Sequence, residues 1–399
     1  MSNRKVPAVF DCVVLKRLLK LKTKQGQRGF CRPTEICMRR NPAYKQLVPI
    51  ACLFLAGAFG VAFGATPARH ARRSSRGDRN VDPTKGDSTE FDDPVIRQIA
   101  VDALGREKGS VLLMDPTNGR ILAIVNQKMA FSSGFEPCST IKPVIALAGL
   151  EEGVVSRDMM INVGRRRYID LTEAMAHSNN KFFEEVGRRL GFDTVIKYAR
   201  LVGLGERAGY NIPGEQPGLL PSNPPLWGGV ARMSSFGGGI RITPFQLASL
   251  VSMLANGGTQ YYLQYPRTQE ERQNFQPRIR QRLDIAPLLP DLQEGMLAAV
   301  LYGTAKQSYE PYEDEQALGK TGTCNDEGVG GRLGWFVSYA DQAHPKIVIV
   351  VLLHGRSRII SGPHASEIAG RIYRVLHDRN YFAESSHSPQ YAVSSSASQ

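Results

Sequence analysis

Ser139 and Lys142 stand three residues apart in the segment Ser139-Thr140-Ile141-Lys142, and a run of apolar residues follows them. If this segment opens a buried helix, Ser139 lies at the helix N-terminus and Lys142 lies one turn on, on the same face. A serine hydroxyl is a poor nucleophile until a base takes its proton. A neutral lysine amine can be that base when burial or a nearby cation lowers its pKa. The pair predicts acyl transfer through Ser139, although Ser-x-x-Lys alone is expected about once or twice by chance in a chain of this length.

A second polar pattern, Ser178-Asn179-Asn180, lies in a predicted turn between two helical segments. An ordinary helix cap is the simpler interpretation of this pattern when it is taken alone. Beside a serine and lysine pair it also suits a proton relay. Ser178 would then pass a proton between Lys142 and a leaving amine, while Asn180 would orient Lys142 and hold a substrate amide.

The third pattern is Lys320-Thr321-Gly322-Thr323, which predicts an edge strand. Lys320 would supply positive potential, and the hydroxyls of Thr321 and Thr323 would bind a substrate carboxylate. Gly322 has no side chain to block a close approach. The backbone N–H of Thr323 would complete an oxyanion site together with an N–H from the helix N-terminus near Ser139. A plain strand with an exposed lysine is the competing interpretation.

Strand and helix patterns at both ends of the folded region must position these three motifs. A capped helix is predicted over residues 94–105, and a hairpin over 110–114 and 120–125. A second hairpin is predicted over 333–339 and 347–354, and a final helix over 363–376. Because helices fill the long middle, we expect an α+β fold with an antiparallel sheet that sequence-distant segments complete.

The positive charge of the chain is confined to its N-terminal part. Residues 1–80 hold 17 of the 50 Lys and Arg residues but only 3 of the 37 acids, which leaves 33 basic and 34 acidic groups in the other 319 residues. The folded region is therefore electrically balanced. This balance argues against a nucleic-acid partner.

Residues 47–65 contain no charged side chain, and nineteen helical residues rise about 28 Å, enough to cross a bilayer core. Twelve Lys and Arg residues precede the segment and five follow it closely. The positive-inside rule therefore predicts a single-pass anchor in the plasma membrane, with the folded domain in the periplasm or outside the cell. A cleaved signal peptide, or a start at Met38, is the alternative, and it also exports the domain.

Five segments are predicted along the chain. They are a basic cytoplasmic tail (1–46), a transmembrane anchor or signal peptide (47–65), a polar linker (66–91), one catalytic domain (92–383) and a Ser-rich, disordered tail (384–399). The linker and the tail have too few apolar residues to form a core.

The three motifs, in this order, are typical of penicillin-binding proteins and class A β-lactamases. The chain resembles the transpeptidase domain of class B penicillin-binding proteins over roughly residues 92–380. Further sequence segments support the resemblance: Glu136-Pro137, Ser235-Phe236-Gly237-Gly238-Gly239, Thr243-Pro244-Phe245-Gln246-Leu247-Ala248 and Ala255-Asn256-Gly257-Gly258.

This resemblance implies a sheet of about five strands with helices on both faces, a helical subdomain, and an active site at the sheet edge. It implies a penicillin-sensitive D,D-transpeptidase that cross-links peptidoglycan stem peptides, in cell division or cell shape, without metal or cofactor. Ser139 would attack the penultimate D-alanine carbonyl, and an amine of a neighbouring stem would resolve the acyl-enzyme. The implied partners are stem peptides, β-lactam antibiotics, the membrane and proteins of cell-wall synthesis.

The sequence leaves three other functions open. A serine β-lactamase shares the motifs but needs a base for a deacylating water, and no carboxylate is identified for that role. A D,D-carboxypeptidase would pass the acyl group to water. A non-catalytic penicillin-binding sensor or scaffold would use acylation only as a signal, or not at all.

The chain departs from the class B pattern in two respects. A linker of 26 residues stands where a large pedestal is usual. Cys138 replaces the glycine that normally precedes the nucleophile, and Cys324 follows the third motif. The resemblance places these two cysteines on facing segments, which permits a disulfide in an oxidising compartment. Two separate buried thiols are the simpler expectation.

Overall fold

The computed structural model describes residues 82–90, 92–306, 316–328, 330–340 and 343–382. The predicted basic tail, the membrane segment, most of the linker and the Ser-rich tail lie outside the described residues. Within the described ranges, every helix is too short or too polar to cross a bilayer.

The central sheet has five antiparallel strands in the order β2-β1-β9-β8-β7. The first two strands come from the start of the domain and the other three from its end, which confirms the predicted α+β architecture. Two small two-stranded antiparallel sheets lie outside this sheet. The strands are β1 (Gly109–Met114), β2 (Ile121–Val125), β3 (Ile161–Asn162), β4 (Tyr168–Ile169), β5 (Thr259–Tyr261), β6 (Ile279–Arg282), β7 (Ala317–Asn325), β8 (Arg332–Ala340) and β9 (Ile347–Gly355).

Strand β9 explains why the sheet is covered on both faces. Its sequence is a continuous apolar run, and successive side chains of a strand point to opposite faces. Val350 and Leu352 belong to one buried cluster, whereas Ile349 and Val351 belong to the other. Each face must therefore be covered by helices.

The helices are α1 (Pro94–Leu104), α2 (Gln127–Ala130), α3 (Lys142–Glu151), α4 (Leu171–Ala176), α5 (Asn180–Leu201), α6 (Gly229–Phe236), α7 (Pro244–Ala255), α8 (Gln269–Gln273), α9 (Leu289–Leu301) and α10 (Gly362–Asp378). Helices α1 and α10 cover one face of the sheet. Helix α7 packs on the other face, next to a helical region built mainly from α3, α4, α5, α6 and α9.

Short polar contacts fix the ends of these helices. The carboxylate of Asp93 accepts the N–H groups of Val95 and Ile96 at 3.0 and 2.9 Å, so the predicted cap of α1 is confirmed. Thr243 and Gln246 form a reciprocal capping box at the start of α7. These contacts set where α1 and α7 begin.

The described end of the predicted linker contacts the domain. The carboxylate of Asp87 pairs with Arg97 at 2.8 Å and accepts the backbone N–H groups of Asn126 and Gln127 at 2.9 and 2.8 Å. Because Asp87 is buried, these bonds replace its water contacts. The chain enters the domain at the end of strand β2.

Candidate active site

Ser139 lies in a 3-10 helix, Cys138–Ile141, and Lys142 begins α3 immediately after it. The two side chains meet, with Nζ of Lys142 2.9 Å from Oγ of Ser139. Lys142 is fully buried and Ser139 is 7% exposed. The Ser139 hydroxyl is therefore placed to donate its hydrogen to the amine.

The second motif surrounds the same amine. Nζ of Lys142 lies 2.8 Å from the carbonyl oxygen of Ser178, 3.0 Å from its Oγ, and 2.7 Å from Oδ1 of Asn180. A neutral amine has two N–H donors and one lone pair. The two carbonyl oxygens accept the N–H groups, which leaves the lone pair to accept the hydrogen of Ser139.

The surroundings of Lys142 favour its neutral form. Burial lowers the pKa of Lys142 well below its usual value, and the nearby charge of Lys320 lowers it further, with a smaller opposing effect from Glu184. Lys320 is also fully buried, and burial lowers its pKa to about 7. The charge of one buried amine, Lys320, thus lowers the pKa of the other, Lys142.

Strand β7 carries the third motif on the edge of the sheet and packs against the 3-10 helix. A Cβ added to Gly322 would lie 3.0 Å from the carbonyl oxygen of Pro137 and 3.1 Å from Cγ2 of Thr140. Contacts this close leave little room for a side chain. The absence of one at Gly322 therefore brings β7 directly against the segment that holds Ser139.

The two threonines lie on the other face of β7, because successive residues of a strand alternate. Oγ1 of Thr321 is 2.5 Å from Oγ1 of Thr304, and Oγ1 of Thr323 accepts the backbone N–H of Gly362 at 2.7 Å. The Thr323 hydroxyl hydrogen is still available for donation. Thr304 was not singled out from the sequence, since it follows α9 without any local motif.

A disulfide joins Cys138 to Cys324, with a Cα–Cα distance of 5.5 Å. The expectation of two separate thiols was wrong, because β7 approaches the 3-10 helix more closely than the sequence reveals. Cys138 has a φ of 52°, a left-handed conformation that favours glycine. The bond therefore fixes a cysteine at a position where a glycine would be less strained.

Glu136 is a buried acid near the site. In the sequence it was noted only as part of the Glu136-Pro137 segment that supports the resemblance. Burial, followed by the charges of Glu327 and Asp326, raises the pKa of Glu136 to about 7. Its Oε2 lies 3.9 Å from Sγ of Cys324, and its backbone oxygen accepts the indole N–H of Trp335 at 2.9 Å. Glu136 thus lies beside the disulfide, and its backbone links the segment before Ser139 to Trp335 of β8.

Residues 109–374 match the penicillin binding protein transpeptidase domain. The "Probable peptidoglycan D,D-transpeptidase PbpC" of Pseudomonas aeruginosa is 26% identical over 324 residues, covering 69% of this chain and 55% of that protein. Stage V sporulation protein D of Bacillus subtilis is 26% identical over 310 residues, covering 65% of this chain and 48% of that protein.

Solved structures show the same fold. The transpeptidase domain of Burkholderia pseudomallei penicillin-binding protein 3 aligns with a TM-score of 0.62 at 20% identity, covering 73% of this chain and 96% of that one. Helicobacter pylori PBP2, solved in complex with MreC, aligns with a TM-score of 0.60 at 20% identity, covering 72% of this chain and 63% of that one. This chain spans about half the length of the curated relatives cited above.

The family match covers two thirds of the chain and includes all three motifs. Its limits enclose the five strands of the sheet and the segment in which Ser139 contacts Lys142. The chain belongs to the penicillin-binding protein transpeptidase family.

Proposed function

We propose that this protein is a penicillin-sensitive serine D,D-transpeptidase that cross-links peptidoglycan stem peptides. The observation that carries the proposal is the 2.9 Å contact between Oγ of Ser139 and Nζ of a fully buried Lys142. A buried amine with a lowered pKa can accept the hydroxyl proton at neutral pH. The name of the Pseudomonas aeruginosa relative gives the same reaction class.

In the first proposed step, Oγ of Ser139 attacks the carbonyl carbon of the penultimate D-alanine while Lys142 takes its proton. Backbone N–H groups of Ser139 and Thr323 stabilise the oxyanion. The peptide C–N bond then breaks, and the terminal D-alanine leaves as an amine after it receives a proton through Ser178, whose Oγ lies 3.0 Å from Nζ. The product is an ester between Ser139 and the shortened peptide.

In the second proposed step, an amine of a neighbouring stem peptide attacks the ester carbonyl. Lys142 or Ser178 accepts a proton from that amine, and Oγ of Ser139 leaves as a hydroxyl. A new peptide bond replaces the one that was broken, so the reaction needs no metal or cofactor. Asn180 holds Lys142 in place through the 2.7 Å bond to Oδ1.

Recognition of the substrate's terminal carboxylate is assigned to β7. Lys320 supplies positive charge when it is protonated, and the hydroxyls of Thr321 and Thr323 act as donors. The Thr321 hydroxyl lies against Thr304, so a bound carboxylate would share or displace that 2.5 Å contact. Gly322 keeps the strand close to Ser139.

The lifetime of the acyl-enzyme depends on how fast water deacylates it. Among the described residues, no carboxylate lies within hydrogen-bonding distance of Ser139 Oγ or Lys142 Nζ. A class A β-lactamase uses a carboxylate that acts through a water for rapid deacylation. Direct contact of a carboxylate with either group therefore does not assist deacylation here, and the lifetime of a penicillin adduct distinguishes transpeptidation from β-lactam hydrolysis.

The proposal includes a location and a class of partners. We place the domain outside the plasma membrane, anchored by residues 47–65, where peptidoglycan is assembled. The solved complex of Helicobacter pylori PBP2 with MreC shows that one structural neighbour assembles with another protein. We propose a cell-wall synthesis partner for this chain as well.

A competition assay tests the proposed reaction. The protein is incubated with a D-alanyl-D-alanine peptide and an amine acceptor, and both products are quantified by mass spectrometry. We expect release of D-alanine and a peptide joined to the amine, with neither formed by Ser139→Ala. Hydrolysis alone at saturating amine would assign a carboxypeptidase instead.

A further inference from the structure

A groove of about 630 Å³ adjoins the second motif. Its walls come from the β3–β4 hairpin, the first turns of α5 and the last residue of α6, and its lining includes Arg165, Arg167, Asn180, Lys181 and Glu184. The volume lies in the range of small-ligand sites. Because Asn180 also contacts Lys142, the groove lies beside the site around Ser139 and shares this residue with it.

The groove carries uncompensated positive charge. Within the described part of the chain, Arg165, Arg167 and Lys181 are exposed and make no ion pair. The one acid in the lining, Glu184, lies 3.5 Å from Arg188. The folded region as a whole is nearly neutral, so this concentration of cations is a local feature.

The hairpin holds its arginines at a conformational cost. Arg165 and Arg166 have φ values of 50° and 58°, in the left-handed region. Turns of this kind favour Asn and Gly, and other residues there cost about 1 kcal/mol each. Strained residues of this type cluster at ligand sites. Of these two residues only Arg165 lines the groove, so the indication of a bound anion comes from the unpaired cations and not from the strain.

We propose that this groove binds a carboxylate of the peptide that Ser139 acylates, upstream of the bond that is broken. The inference rests on the proposed function and adds a substrate preference to it. The protein would favour D-alanyl-D-alanine peptides with an additional free carboxylate over the same peptides with a carboxamide there. Arg165 and Arg167 are suited to bidentate carboxylate binding.

The position of the groove favours the reacting peptide over a lipid surface or a separate anion. Oδ1 of Asn180 lies 2.7 Å from Nζ of Lys142, which in turn lies 2.9 Å from Oγ of Ser139. A peptide acylated at Ser139 therefore needs only a few residues to reach the cations. A membrane surface would require a flat, outward-facing patch, whereas Arg167 and Lys181 line a concave site.

The test compares two synthetic D-alanyl-D-alanine peptides that differ only in an upstream carboxylate or carboxamide. With the full chain, we expect kcat/KM for D-alanine release to be about tenfold higher for the carboxylate peptide, the effect of one charge-assisted hydrogen bond. R167Q/K181Q, which leaves only Arg165 of the three cations, should lower the ratio toward one. These positions avoid the strained φ of Arg165, so backbone effects do not enter.

R166Q is the matched control, because Arg166 lies on the same turn, has the same charge and does not line the groove. It should keep the wild-type ratio. Added salt should reduce the ratio in the wild type and not in R167Q/K181Q. Thermal melting establishes whether each variant is folded. If R167Q/K181Q is not folded, R167Q alone takes its place in the comparison.

Three results would overturn the inference. The first is equal rates for both peptides with the wild type, and the second is the same loss of ratio in R166Q. The third is an unchanged ratio in R167Q/K181Q, together with the failure of this variant to sediment with anionic phosphatidylglycerol vesicles. The last result would assign the hairpin to a membrane surface. Failure of the proposed function looks different, since the wild type would then release D-alanine from neither peptide.

Discussion

Lys142 has full burial together with four polar contacts, a rare combination for a lysine side chain. Two carbonyl oxygens and two hydroxyls surround its amine, and no carboxylate among the described residues neutralises it. A protonated amine in this position is disfavoured by burial. The residue is therefore suited to act as a base and not as a structural cation.

Replacing Lys142 should remove the base while leaving the nucleophile in place. We expect Lys142→Ala to lower the rate of acylation by a fluorescent penicillin by about 10²–10⁴-fold. Lys142→Met keeps the side-chain volume and should be acylated equally slowly. This variant shows whether the lower rate comes from the missing base or from a cavity left by the smaller side chain. Labelling of either folded variant at the wild-type rate would contradict the assignment.

The pH dependence of acylation should report both buried amines. The rate rises with pH as Lys142 loses its proton and becomes a base. It falls above about pH 7, where Lys320 loses the charge that attracts the carboxylate. The profile of kcat/KM should therefore be bell-shaped.

Replacing Lys320 tests how its charge changes the pKa of Lys142. Lys320→Ala removes a like charge near Lys142, so the pKa of Lys142 rises and the ascending limb moves to higher pH. The measurement is kcat/KM for penicillin acylation across pH in both proteins. An ascending limb that stays in place would show that the Lys320 charge does not act on Lys142.

At the residue scale, the three motifs could be read from the sequence because each combines residue types with a fixed short spacing. The structure brings Ser139, Lys142, Ser178 and Asn180 into direct contact. Thr304 was not predictable, since its contact with β7 depends on tertiary packing alone. The positive φ of Cys138 likewise has no sequence signal.

At the scale of elements, the disulfide joins the 3-10 helix to strand β7 across 186 residues of chain. A crosslink over so long a loop restricts the unfolded state strongly. We expect Cys138→Ser/Cys324→Ser to lower the free energy of unfolding by about 2–4 kcal/mol, measured by urea denaturation. The same shift should appear in the wild type after reduction with dithiothreitol.

Two outcomes would count against this role of the disulfide. One is an unchanged denaturation midpoint in the double serine variant. The other is mass spectrometry of non-reduced, alkylated protein in which both thiols are labelled. An exposed pair such as Arg188 and Glu185 is a suitable control, because breaking it with Arg188→Gln should change stability by less than about 1 kcal/mol.

Elements at the two ends of the domain were predicted closely because each has a clear cap or apolar run. Helix α10 spans Gly362–Asp378, against a prediction of residues 363–376. The predicted helical segment after Ser178-Asn179-Asn180 corresponds to the part of α5 before Gly191, where the backbone is not helical and the helix is interrupted. The resemblance placed β7 and the segment of Ser139 opposite each other, but the closeness of their approach was not predictable because it depends on contacts between segments far apart in sequence.

At the scale of the whole molecule, the sheet joins the start of the domain to its end, since β1 pairs with β9. The sequence predicted an antiparallel sheet completed by sequence-distant segments, whereas the order of its strands is known only from the structure. The segments before residue 82 lie outside the described residues, so their roles stay predictions. Their apolar and basic composition is the basis for those predictions.

The membrane prediction is tested by cell fractionation of the full chain. We expect the protein in the membrane fraction, released by detergent and not by high salt, because 47–65 is long enough to span the bilayer. The intact mass should include residues before 47. A soluble exported protein that begins after residue 65 would establish the signal-peptide alternative, and a mass that begins at Met38 would establish the shorter start.

The central claim is that Lys142 makes the Ser139 hydroxyl reactive toward a D-alanyl-D-alanine mimic. The most direct test incubates the folded protein with a labelled penicillin and locates the adduct by peptide mass spectrometry. We predict one adduct per chain, on the peptide that contains Ser139, with a lifetime long enough to isolate, and none in Ser139→Ala. A folded wild-type protein without an adduct at Ser139, or with label elsewhere only, would contradict the account.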